Sequence, residues 1–375
     1  MKYLLRQAWV QAGKWVRKIQ RQAKKPAKSR APKLRQPTDA PAGPPNPPSR
    51  LAPSGAALAK GLPRNSATAP ARHAEQWIDG KFTHRGRTLA YKLYLPPKKT
   101  SEALRPMVVM LHGCRQDAAD FAAGTRMNAQ ARASGVVALY PEQSRRGNLQ
   151  KCWNWFNPLH QQRGRGEPAV LVALTLSIAA SHQVDMSRIF VAGLSAGGAM
   201  ANILGIGYPE VFAAIGVHSG LPKGCATDWV SALTVMRMGC LLPAATPAAG
   251  PFPPTIVFHG DADNTVHINN GIAVITAALA ARGAQSAEAR WVEGQSAQGQ
   301  GYSQTIYQDS AGRTLAEFWQ LHGAGHAWSG GHPDASYTNP AGVDATAQML
   351  RFFLENPMSC AIPVPEQEQP AAHVS

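Results

Sequence analysis

The segment that most restricts this chain is Gly193-Leu-Ser195-Ala-Gly197. It follows the β-branched apolar run Ile189-Phe-Val-Ala and leads directly into Gly198-Ala-Met-Ala-Asn202, a stretch of small residues suited to a helix. A serine between glycines at a strand-to-helix junction is the pattern of a nucleophile elbow. The turn holds the serine in a strained backbone conformation, and its neighbours lie too close to other backbone to tolerate a Cβ. Ser195 is then expected at the carboxyl edge of a sheet, where the helix N-terminus favours developing negative charge.

The rest of the body agrees with such a sheet. Apolar runs at 106–111, 135–140, 189–193, 213–217 and 255–258 read as strands buried on both faces, and spacers at 118–134, 170–181, 198–208 and 270–282 read as helices. That alternation predicts an α/β fold with a mostly parallel sheet. Residues 77–82 and 88–95 alternate like strands, and 302–308 and 314–322 form a hairpin pattern around Asp309-Ser-Ala-Gly312. A last helix is expected at 343–354, inside a folded body spanning 76–358 and followed by a loose tail, 359–375. No apolar run approaches the roughly 20 residues of a membrane-spanning helix.

Charge separates the body from what precedes it. Residues 1–50 hold 13 of the 38 Lys and Arg and one acid, Asp39, so most of the net charge of +16 belongs to this segment. A nucleic-acid partner for the whole chain therefore has little support. Residues 1–25 place Leu5, Trp9, Ala12, Val16 and Ile19 at helical spacing between basic residues, an amphipathic basic helix suited to an anionic lipid or a hydrophobic particle surface. Arg6 and Gln7 interrupt its apolar run and no small-residue cleavage site follows, so it does not read as a secretory signal. Residues 26–75, rich in Pro and Ala, read as a tether. On this basis a surface-associated interaction protein is the competing class of function, decided by co-sedimentation with anionic vesicles before and after deletion of residues 1–72.

A serine nucleophile needs a base and an orienting acid, in the chain order Ser, Asp, His for this type of elbow. Asp263 follows the strand ending at Phe258, and His326 lies in the glycine-flanked loop Gly323-Ala-Gly-His326-Ala-Trp. Asp261 competes with Asp263; it is read instead as a turn carboxylate bonding nearby backbone N–H groups. His322 is read as strand-end packing, and His112, His218 and His259 as histidines that fix loops by hydrogen bonds. For an oxyanion, the N–H of Ala196 is one expected donor and that of Cys114, after the strand ending at Leu111, the other. No base motif accompanies Cys114 as a nucleophile in its own right.

Six separated motifs, Leu111-His-Gly-Cys-Arg-Gln116, Cys152-Trp-Asn-Trp-Phe156, Gly193-Leu-Ser-Ala-Gly-Gly198, Val217-His-Ser-Gly-Leu-Pro222, His259-Gly-Asp-Ala-Asp-Asn-Thr-Val266 and Gly325-His-Ala-Trp-Ser-Gly-Gly331, resemble the poly(3-hydroxybutyrate) depolymerase family of esterases, which is related to feruloyl and acetylxylan esterases. The resemblance implies an α/β-hydrolase fold and ester cleavage through an acyl-enzyme with no metal or organic cofactor. It carries the nucleophile, acid and base roles onto Ser195, Asp263 and His326, and the oxyanion hole onto Cys114 and Ala196. Trp153, Trp155 and Trp328 become candidates to line an acyl or polymer groove, the alternative for each being simple core packing. Members are often secreted, and for an exported chain the resemblance suggests the pairs Cys114 with Cys152 and Cys225 with Cys240. The implied substrate is a hydroxyalkanoate polyester or its oligomers, or else a small feruloyl or acetyl ester; oligomeric state stays open.

Overall fold

The computed structural model describes residues 74–97, 103–240, 252–283 and 287–358; the expectations for 1–25, for most of the tether and for the tail fall outside these. The first two strands, β1 (Gln76–His84) and β2 (Arg87–Leu95), form an antiparallel hairpin. Arg85 and Gly86 both take positive φ, 49° and 75°, the backbone that a two-residue hairpin turn requires. Next come β3 (Arg105–Leu111), β4 (Val137–Glu142), β5 (Val184–Leu194), β6 (Ala214–His218) and β7 (Thr255–Gly260), then β8 (Glu288–Gln295), β9 (Gly301–Gln308) and β10 (Thr314–Leu321). Among the described residues these build one ten-stranded sheet in the order β1-β2-β4-β3-β5-β6-β7-β10-β9-β8.

The interior from β4 to β10 is parallel, as the double-sided apolar runs predict, and β3, β6 and β7 are buried at every residue. Alternate side chains divide between two cores. Val109, Val191, Ile215 and Val257 pack with Leu171 and Met200, while Val108, Phe190 and Phe258 pack with Met127, Phe352 and Phe353 on the other face. Each such fully buried side chain contributes about 1.5–3 kcal/mol of hydrophobic stabilisation.

The helices are α1 (Ala118–Thr125), α2 (Met127–Ser134), α3 (Gly166–Ser181), α4 (Ala196–Gly207), α5 (Trp229–Met238), α6 (Asn269–Ala281) and α7 (Ala345–Glu355). Residues 118–134 were expected to form one helix, yet Arg126 stands at φ 55° between α1 and α2. The break has a tertiary cause: the Thr125 carbonyl accepts the Thr346 hydroxyl at 2.5 Å, and the amide of Ala129 turns to Arg126 O. Strand β8 and helix α5 had no counterpart in the sequence reading. The edge strand β8 is mostly exposed and so has no alternating apolar face to announce it. Disulfides join Cys114 to Cys152 and Cys225 to Cys240.

Candidate active site

Loops following β3, β5, β6, β7 and β10 meet at the carboxyl edge of the parallel strands, the edge where open α/β sheets place ligands. Ser195 stands between β5 and α4 at φ 57° and ψ −120°, a strained conformation for a residue with a side chain. The glycines make this turn possible. A Cβ on Gly197 would lie 2.0 Å from Leu111 O, and one on Gly193 would lie 2.4 Å from the carbonyl carbon of Gly197. The Ser195 N–H donates to His218 O at 2.9 Å, tying the turn to β6. Ala196 is the first residue of α4, so its N–H has no acceptor within the helix and adds to the positive end of the helix dipole.

The loop after β3 is held on both sides of Cys114. Gly113 N–H donates to Gln116 Oε1 at 2.9 Å, Arg115 N–H to Gln150 O at 2.7 Å, and the Cys114–Cys152 disulfide crosses to the segment bearing Trp153 and Trp155. That segment rests on Glu167, a wholly buried carboxylate. It accepts the Asn154 N–H at 2.8 Å and the side-chain amides of Asn154 and Gln143 at 2.6 Å each. Burial alone would raise the Glu167 carboxyl, but His160 and Asn154 outweigh it and hold it below its ordinary value. No motif marks Glu167 as part of this arrangement, and its place in the first turn of α3 is its sole sequence signal.

Asp263 and His326 face each other across the loops after β7 and β10, with His326 Nδ1 2.7 Å from Asp263 Oδ2. The other carboxylate oxygen accepts the N–H groups of Thr265 at 2.9 Å and Val266 at 2.8 Å. Burial pushes this carboxyl up, yet the His326 bond, the charge of that ring and the Val266 N–H prevail and bring it down to about 2. An ionised Asp263 makes Nδ1 the donor, which leaves Nε2 of a neutral His326 as its basic nitrogen. Asp261 does not approach this pair. It accepts Gly323 N–H at 2.7 Å, as a turn carboxylate was expected to do, and pairs with His322 Nδ1 at 3.0 Å, an ionic role that simple strand-end packing of His322 did not include.

His112, His218 and His259 are buried and fix loops as expected. His112 bonds Gly113 O through Nδ1 at 2.7 Å and accepts Gln143 N–H on Nε2 at 3.0 Å. His218 accepts Ser329 N–H at 3.0 Å, and His259 donates to Val266 O at 2.7 Å. Burial lowers His218 to about 3; it also lowers His259, to about 4 against the pull of Asp263.

The tryptophans resolve toward the core. Trp328 is 1% exposed, stacked on His218 and edge-on to Phe121, with its N–H on Thr346 Oγ1 at 3.0 Å. Trp153 is wholly buried against His112, and Trp155, 5% exposed, packs edge-on against Phe156. All three rings are thus buried among the described residues, in line with the core-packing alternative. Exposed aromatic rings include Trp77, Trp291 and, on α5, Trp229, which is 65% exposed and shares its side of the helix with the exposed Val230 and Leu233. This helix is bracketed by the Cys225–Cys240 disulfide and is tied to the segment after Asp263 by His267 N–H on Met236 O and to α6 by Asn270 Nδ2 on Val235 O.

A family profile described as Esterase PHB depolymerase matches residues 89–296. Poly(3-hydroxyalkanoate) depolymerase C of Paucimonas lemoignei is 33% identical over 59% of this chain and 54% of its own length. Feruloyl esterase B of Neurospora crassa is 30% identical over 46% of this chain and 63% of its own. Probable acetylxylan esterase A of Aspergillus fumigatus is 28% identical over 49% and 52%. The chain thus spans between half and two thirds of the length of these relatives. Among solved structures, an acetyl xylan esterase from Aspergillus awamori superposes with a TM-score of 0.56 at 19% identity, covering 71% of this chain and 94% of that one. The likeness is one of fold, the α/β-hydrolase sheet and its flanking helices.

Proposed function

The chain belongs to the poly(3-hydroxybutyrate) depolymerase family of esterases, and on that premise we propose that it hydrolyses carboxylic esters through an acyl-enzyme on Ser195. The observation that carries this reading is the Asp263–His326 pair, 2.7 Å apart, on the sheet edge that also presents the strained Ser195 turn. His326 Nε2 takes the hydroxyl proton as Ser195 Oγ attacks the ester carbonyl carbon, and Asp263 stabilises the imidazolium. The N–H groups of Ala196 and Cys114 receive the oxyanion. Collapse of the tetrahedral intermediate breaks the ester bond, and His326 returns its proton to the departing alkoxide. Water then repeats the sequence on the acyl-enzyme, releasing the acid and restoring Ser195.

The substrate supported best is an uncharged hydroxyalkanoate polyester or its oligomers. Support comes from the exposed apolar side chains Trp229, Val230 and Leu233 of α5, a helix whose backbone is bonded to His267 after the acid, since a solid aliphatic polymer offers such a surface an apolar counterpart. The Paucimonas relative carries a poly(3-hydroxyalkanoate) depolymerase name. The second reading, a hydrolase of soluble feruloyl or acetyl esters, is favoured by the names of the fungal relatives. Clearing of an amorphous poly(3-hydroxybutyrate) suspension, run beside a soluble short-chain ester, separates the two. Ser195→Ala should abolish both activities, and a variant with wild-type turnover would refute the mechanism. Trp229→Ala should slow clearing several-fold while leaving the soluble ester untouched. No clearing by an otherwise active preparation would move the assignment to the soluble-ester class.

A further inference from the structure

The two loops that carry Asp263 and His326 hold a second carboxylate–imidazole pair, Asp261 with His322. Strands β7 and β10 are parallel neighbours, with Leu321 opposite Gly260, and their contact continues past the strand ends. Asp261 N–H donates to Leu321 O at 3.0 Å, and Ala262 N–H to Ala324 O at 3.1 Å. The backbones are pressed together so closely that a Cβ on Gly260 would lie 2.1 Å from Ala324 O. Asp261 then grips the start of the His326 loop twice, through Gly323 N–H at 2.7 Å and His322 Nδ1 at 3.0 Å. His322 Nε2 reaches Ser303 Oγ on β9 at 2.8 Å, and the His322 N–H donates to Gly301 O at 2.9 Å.

We propose that Asp261, His322 and Ser303 form an outer latch that positions the His326 loop against Asp263 and the elbow. This rests on the reading of His326 as the base. The three side chains repeat the hydrogen-bond order of a catalytic set, but Ser303 lies within β9, without the strand-to-helix turn that supplies Ser195 with its oxyanion donors. They are positioning residues. The Asp261–His322 pair is also partly exposed, with side chains 24% and 41% accessible, and such pairs add little to global stability. Its effect is therefore directed at geometry, where a misplacement of about 1 Å can cost on the order of 100-fold in rate.

The experiment measures kcat and KM on a soluble short-chain ester, with a thermal melt of each full-length variant. Asp261→Ala should lower kcat roughly 10- to 100-fold with KM within about twofold and a cooperative melt retained. Asp261→Asn, whose amide oxygen can still accept Gly323 N–H, should recover part of the loss. Wild-type kcat in Asp261→Ala, or a change confined to KM, overturns the latch. Should Asp261→Ala not melt cooperatively, His322→Gln and Ser303→Ala decide: a several-fold fall in kcat in either supports the proposal, and wild-type kcat in both overturns it. His326→Ala run alongside keeps the two readings apart, because activity retained there overturns the base assignment, whereas its loss beside an unaffected Asp261→Ala overturns the latch alone.

Discussion

At the residue scale, the site turns on how two aspartates in one short loop are distinguished. Asp261 and Asp263 follow the same strand two residues apart, and spacing could not choose between them beyond preferring Asp263. What separates them is which N–H groups each carboxylate meets: Thr265 and Val266 occupy one oxygen of Asp263 and direct the other at His326, while Gly323 and His322 engage Asp261. Thr265 and Val266 are local, but His326, Gly323 and His322 lie 61 to 63 residues further along the chain, so the distinction was only partly legible. The tryptophans show the same gap, because a sequence names a Trp in a loop without saying whether its ring points under the loop or out of it. Asp263→Asn tests the acid directly. It leaves an amide facing Nδ1, favours the wrong tautomer of His326, and should lower kcat on the order of 10³- to 10⁴-fold with KM little changed. A fall below about tenfold would show that His326 takes its orientation elsewhere.

At the element scale, the turn from β5 to α4 is where the chain was most legible, because one steric requirement fixes residue types at Gly193, Gly197 and Gly198 together. The parallel strands were equally plain from double-sided apolar runs such as Met107-Val-Val-Met110. Elements set by tertiary capture were not: the α1–α2 break depends on Thr346, far along the chain, and β8 is recruited by its pairing with β9. Gly197→Ala is the sharp test of the elbow. The added methyl group meets backbone at Leu111 O and His112 O, which no rotamer change relieves, so a loss of about 3 kcal/mol or more is expected. Gly207→Ala, also in α4 but with open space around it, should be neutral or slightly stabilising. Urea midpoints for the two variants measure the difference, and equal midpoints would show that the elbow is not close-packed.

Across the whole molecule, buried titratable groups make stability depend on pH in one direction. His218 and His259 stay neutral in the fold down to about 3 and about 4, burial being the main cause, whereas in the unfolded chain they take up protons below about 6.5. The unfolded state therefore binds more protons as pH falls from there, and stability declines. Asp263, held near 2 by His326 and Val266 despite burial, adds a second loss between about pH 4 and pH 2. His322, raised by Asp261, acts in the opposite sense, stabilising at low pH and releasing as pH rises through its folded value; its exposure keeps that contribution small. Urea midpoints should fall steadily below about pH 6.5, and a flat profile to pH 4.5 would mean that His218 and His259 are not held neutral. The sheet also has a consequence in time. Its outer strands are hairpins that close over short loops, β1 with β2 and β9 with β10, while β3 must find β5 across α1, α2, β4 and α3. Local pairings form fast and distant ones slowly. The margins of the sheet can therefore assemble before its centre, and until β3, β5, β6 and β7 dock, the stickiest stretches of the chain stay uncovered, the interval in which a folding chaperone has most to protect.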